Sequence, residues 1–73
     1  MKWRLQMVVQ NAEEATKIAK EFGDKLSPLG FSPIGARREN GSWIVEGYLG
    51  LNLIEIVVDR LTGQIEKYGR KQT

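Results

Sequence analysis

Glu55 and Asp59 are the two acidic residues whose spacing invites a catalytic reading. Four positions apart on an extended strand, they share a face and stand roughly 13 Å from each other. A retaining glycosidase pair needs about 5 Å and an inverting pair about 6.5–9.5 Å, so this spacing fits neither. Asp59 is explained better as the residue that opens the turn Asp59-Arg60-Leu61-Thr62-Gly63. The chain has no Cys and no His. That removes Cys–His and Ser–His nucleophile pairs, imidazole acid–base catalysis, and haem, iron–sulfur and zinc ligation through those side chains. Gly30, Gly35, Gly47 and Gly50 lie before or within strands, whereas a phosphate loop runs from a strand through glycines into a helix. The chain reads as a non-enzyme, with no catalytic residues, no cofactor and no metal ligands expected.

Two other groups of residues point to binding. Lys2, Arg4, Lys67, Arg70 and Lys71 lie near the termini and form one basic patch if the first and last strands are neighbours. Arg37 and Arg38, beside Asn40-Gly41, supply a second patch. Trp3, Trp43 and Tyr68 are candidate stacking surfaces for single-stranded nucleic acid. Against this, eleven basic and nine acidic residues leave a net charge of only +2, so the field of the whole molecule is weak. Glu39 and Glu66 dilute the patches, and edge strands carry Lys simply to prevent sheet-to-sheet aggregation. The second group is apolar: Tyr48, Leu49, Leu51, Leu53 and Val57 are the candidate surface for a protein partner. Nucleic-acid binding is the alternative.

The elements that position these residues follow from periodicity and turn chemistry. Trp3, Leu5, Met7 and Val9 alternate with polar residues, which predicts a strand over 2–9. Asn11 is a good N-cap with Glu14 three residues on, and Glu13 and Glu14 suit the positive end of a helix dipole. Ala15, Ile18, Ala19, Phe22 and Leu26 line one stripe of a helix over 12–26, weakened by Gly23 and stopped by Pro28 and Gly30. Strand two, 31–39, carries Gly and Pro and is expected at an edge. Asn40-Gly41 predicts a hairpin with positive φ at both central residues. Strand three, 42–49, places Trp43, Val45 and Leu49 on one face and Ile44, Glu46 and Tyr48 on the other. Strand four, 51–59, is apolar on both faces: Ile54, Ile56 and Val58 against Leu51, Leu53 and Val57. Gly63 supplies the left-handed position of the next turn, strand five runs over 64–69, and 70–73 is read as a frayed tail.

The fold class is therefore α+β, in the order β-α-β-β-β-β: an antiparallel sheet of four or five strands with one helix on one face. The 73 residues form a single domain with 41% hydrophobic and 27% charged residues. A chain of this size buries about 60% of its unfolded surface, and one core supplies roughly 3–5 kcal/mol. One helix leaves one sheet face uncovered, so a sheet-on-sheet homodimer is the simplest way to protect it. No apolar run exceeds three residues, as in Ile56-Val57-Val58; a secretory signal needs about 7–15 and a membrane span ~20. The expectation is a soluble, cytoplasmic chain without a membrane segment.

Residues 11–69 resemble the PepSY domain family. The shared features are the acidic-alanine helix opening Asn11-Ala12-Glu13-Glu14-Ala15, the aromatic–valine strand Trp43-Ile44-Val45-Glu46, and the last hairpin, Ile56-Val57-Val58-Asp59-Arg60-Leu61-Thr62-Gly63-Gln64-Ile65. The last contains the family's Asp-x-x-Thr-Gly turn between apolar strands. The strand expected at 2–9 is additional to the family pattern. The resemblance implies a non-enzymatic domain that binds protein partners, in that family often as a modulator of proteases.

Overall fold

The computed structural model describes residues 9–71. One helix, α1 (Ala12–Leu26), precedes four strands: β1 (Phe31–Glu39), β2 (Ser42–Leu49), β3 (Asn52–Asp59) and β4 (Ile65–Arg70). The strands form one antiparallel sheet in the order β1-β2-β3-β4, and α1 lies across it, chiefly over β1. The α+β class is as expected. The strand read over 2–9 falls outside the described residues except for Val9, which belongs to no strand. Val9 is buried; its amide donates to the Arg60 carbonyl (2.7 Å), and its carbonyl accepts from Trp43 Nε1 (3.1 Å).

The helix begins as its cap dictates. Asn11 Oδ1 accepts from the Glu14 amide (2.9 Å), and Glu14 Oε1 accepts from the Gln10 amide (2.7 Å), so two donors at the helix start are satisfied reciprocally. The contact stripe is narrower than the sequence implies. Ala15, Ala19 and Gly23, four apart, are the buried residues, while Ile18 and Phe22 are half-buried and Leu26 is exposed. Gly23 is here for closeness, since a Cβ on it would lie 2.4 Å from Phe31 Cβ. Small residues at this spacing bring the helix axis close to the sheet, and larger side chains are displaced to its flanks.

The core is Val9, Ala15, Ala19, Phe31, Trp43, Val45, Ile54, Ile56 and Val58. On β2 and β3 its members alternate with outward residues, as a half-buried sheet requires. Leu49 shares the face of Trp43 and Val45 and packs against this core, so its expected place in an interface is corrected. Two-residue turns set the registers. Glu39 pairs with Ser42 around Asn40-Gly41, and Leu49 pairs with Asn52 around Gly50-Leu51. Asn40 has positive φ (54°) but Gly41 does not, so the expectation of two left-handed residues fails and only the first central position is left-handed. Gly50 (φ 67°) repeats that arrangement, which makes Leu51 a turn residue and not the start of a strand. The expected tail is partly strand, because Arg70 belongs to β4 and the Lys71 amide donates to the Leu53 carbonyl (3.1 Å).

Gly47 on β2 is also a packing residue. A Cβ there would fall 2.5 Å from both Phe31 Cζ and the Ser32 carbonyl oxygen. Gly47→Ala should cost about 1–3 kcal/mol through overpacking, or about 4–8 °C of melting temperature per kcal/mol. Gly23→Ala should also lower the melting temperature, although alanine is about 1 kcal/mol the better helix former. Gly35→Ala, where a Cβ meets nothing within 4 Å, should stay within about 0.5 kcal/mol. Equal melting temperatures for all three variants would remove the close-approach argument.

Candidate interaction surface

The sheet face away from α1 carries the candidate site. Register places four cross-strand rows on it, the first being Ser42 opposite Asp59. Ile44 stands opposite Val57, Glu46 opposite Glu55, and Tyr48 opposite Leu53. The carboxylate row continues outward to Gly35 on β1 and Gly69 on β4. Two apolar pairs therefore flank a pair of carboxylates, and a glycine closes each end of that central row.

Like charges directly opposite on a sheet destabilise it. Arg37 resolves the conflict between Glu46 and Glu55. Its Nη1 donates to Glu46 (3.2 Å), its Nη2 to Glu55 (3.3 Å), and its Nε to Glu39 (3.0 Å). Lys71 also pairs with Glu46. A guanidinium is suited to this position because its planar fork presents several donors at once. The Lys71 ammonium, followed by Arg37, holds the Glu46 carboxyl below its ordinary range. The carboxylates Glu39 and Glu55 hold the Arg37 guanidinium above its own.

The apolar residues are divided. Tyr48, Leu53 and Val57 lie on the open face, Leu49 lies beneath it, and Leu51 forms the tip of the β2–β3 turn at 96% exposure. Val57 stands further off, in the row of Ile44. Tyr48, Leu53 and Leu51 gather at one end, where Leu29, 78% exposed, joins them from the α1–β1 loop. A Cβ on Gly50 would lie 3.3 Å from Leu29 Cδ1, so the two loops touch. Leu29 has no strand or helix periodicity around it to mark it as part of a surface, and only the fold brings it to this end.

The basic residues are rearranged. Lys2 and Arg4 lie outside the described residues. Arg37 and Arg38 point to opposite faces of β1, since they pair with Ile44 and Trp43 respectively, so they do not form the expected second patch. Instead Arg37 joins Lys67, Arg70 and Lys71 around a shallow trough of about 470 Å³, which Glu55, Tyr68 and Gly69 also line. Arg70 Nη2 donates to Asn52 Oδ1 (3.3 Å). Lys67 meets no carboxylate among the described residues. No group of three or more potential metal-ligating side chains occurs among the described residues, and no helix among them is long and apolar enough to cross a membrane.

No family model, curated protein or solved structure matches the chain. The PepSY resemblance therefore rests on the chain's own residues.

The ion network makes a pH prediction. Asp24, held by the Phe31 amide and then by Lys20, is lowered as Glu46 is. Both groups bind protons less readily folded than unfolded. The stability they contribute is present above the unfolded carboxylate value and is lost as pH falls through the folded one. In Arg37→Gln, Glu46 faces Glu55 without the guanidinium, and that repulsion relaxes once either carboxyl is protonated. The melting-temperature gap between wild type and R37Q should be widest near pH 7 and narrow towards about pH 3. A gap independent of pH would show that Arg37 acts through packing alone.

Proposed function

We propose that this chain is a non-enzymatic protein-binding module that docks a partner through Tyr48, Leu51 and Leu53, with Leu29 extending the contact. The observation that carries this reading is the exposure of Leu51, Leu29 and Tyr48 at one end of the sheet, Leu51 above all, with half-buried Leu53 beside them. A turn tip in water is served as well by a polar residue. Leu51 at that tip gains almost nothing for the fold and a good deal for an interface. Protease modulation is the form of regulation that the PepSY resemblance favours.

The charged centre of the open face bears on the choice of partner. Stacking two whole faces would bury Glu46, Glu55, Arg37 and Lys71 twice over, and desolvating such groups is costly. The apolar end is the smaller and cheaper contact. A second copy of this chain is the homodimeric occupant of that end, and solution mass separates it from a different protein. Nucleic-acid binding has less support, because Arg37 and Lys71 are already engaged by carboxylates and Arg38 stands on the other face.

Leu53→Lys and Leu51→Ser should each weaken partner capture by about tenfold or more, the equivalent of one leucine left unburied, while the circular-dichroism spectrum stays unchanged. The assay is a tagged pull-down with and without nuclease, read beside solution mass. Capture and mass unchanged in both variants would overturn the docking surface. Capture lost on nuclease treatment and falling steeply with salt would favour nucleic acid.

A further inference from the structure

The two edges of the sheet are unlike. β1 is interrupted: Pro33 has no amide hydrogen, and the ladder slips between Pro33 and Gly35, leaving Ile34 as an extra residue. Such an edge resists a further strand. The β3–β4 ladder also slips once, between Val57 and Val58, but β4 carries no proline and its register then runs unbroken from Lys67 opposite Val57 to Arg70 opposite Ile54. The Lys71 amide bonds back to Leu53. By the alternation of an antiparallel ladder, Tyr68 and Arg70 then turn their N–H and C=O groups away from β3. Among the described residues no strand pairs with that edge.

The trough lies beside it. Lys67 and Lys71 are on the open face, four residues and roughly 13 Å apart, with Gly69 between them. A Cβ on Gly69 would meet nothing within 4 Å, so the space there is wide enough for a side chain from elsewhere. Glu55, the carboxylate lining the trough, is already taken by Arg37. Among the described residues, what the trough offers a newcomer is the Lys67 ammonium and an unpaired backbone edge.

We propose that β4 takes up an extended acidic segment of the partner protein as an added strand, with a carboxylate side chain lying over Gly69 and pairing with Lys67. This deepens the protein-binding reading and rests on it. Main-chain hydrogen bonds to Tyr68 and Arg70 supply affinity, as in other strand additions, and the alternate side chains supply selectivity. The Lys71 end of the trough adjoins Leu53, so the segment reaches the apolar end directly.

The test titrates an eight-residue peptide of alternating Thr and Glu into the isotope-labelled full chain, with a Thr–Lys peptide as control. The amide resonances of Tyr68 and Arg70 should shift, and their hydrogen exchange should slow, with the Glu peptide only. Lys67→Glu and Gly69→Val should each weaken the response about fivefold or more, and raised salt should weaken it too. Valine suits an edge strand and has room at this position, so G69V should keep the fold. Equal responses to both peptides, shifts centred on β1, or Tyr68 and Arg70 amides already protected in the free chain would each overturn the proposal. A partner captured through Leu51 and Leu53 but indifferent to K67E and G69V would leave the docking reading standing and remove the added strand.

Discussion

Phe31 sits where helix and sheet come closest, and each of its contacts depends on a residue that leaves it room. Gly23 on α1 lies against its Cβ, and Gly47 on β2 lies under the tip of its ring. Its amide donates to Oδ1 of Asp24 (2.8 Å), in the last turn of α1. One residue thus fixes how near α1 lies to the sheet, where the α1–β1 loop ends, and how β1 enters its register. The ring is buried to 1% exposure, worth about 1.5–3 kcal/mol. In a domain whose whole margin is a few kcal/mol, that is a large share. The same clamp holds the Leu29 loop against Gly50, so the apolar end of the open face depends on a contact made on the opposite side of the sheet.

A single short helix cannot cover both faces of four strands. The uncovered face is kept in water by its central row. Arg37 reaches across from β1 to carboxylates on β2 and β3, and Lys71 approaches from beyond β4. Exposed ion pairs contribute little individually. Their effect here is to separate two apolar pairs that would otherwise form a continuous strip, and to neutralise two glutamates that register forces together.

Much of this was legible in the sequence where the cause is local. Asn11 and Glu14 place the start of α1, and the Gly63 turn and the hairpins follow from their turn residues. The register that sets Glu46 opposite Glu55 needs Leu51 in the turn, whereas in the sequence it reads as the start of a strand. What was missed depends on strands read together. Taken alone, β3 looks apolar on both faces. Only beside β2 does its outward face become apolar, acidic, apolar in successive rows. Leu49 is a different case, since its own strand alternation already places it with Trp43 and Val45, facing in, against its assignment to the interface. Arg37 looked like half of a basic patch because Arg38 follows it, yet adjacent strand residues face opposite ways. Gly23 read as a weak point in a helix, because nothing local announces that Phe31 will need its space.

The distribution of unsatisfied groups then narrows where recognition can occur. The helix-side face is filled by core, and the centre of the open face has its charges matched internally. A partner placed there would have to break bonds before making any. The β1 edge is interrupted by Pro33 and its bulge. Among the described residues, what remains unmatched is the outer backbone of β4, the Lys67 ammonium, and the leucines at the turn end, and these lie consecutively because Lys71 is bonded to Leu53. None is strong alone. A surface built from weak, adjacent and chemically different contacts discriminates by their order along the bound segment, so a partner strand must present its acidic residue and its apolar residue at the right separation to engage both.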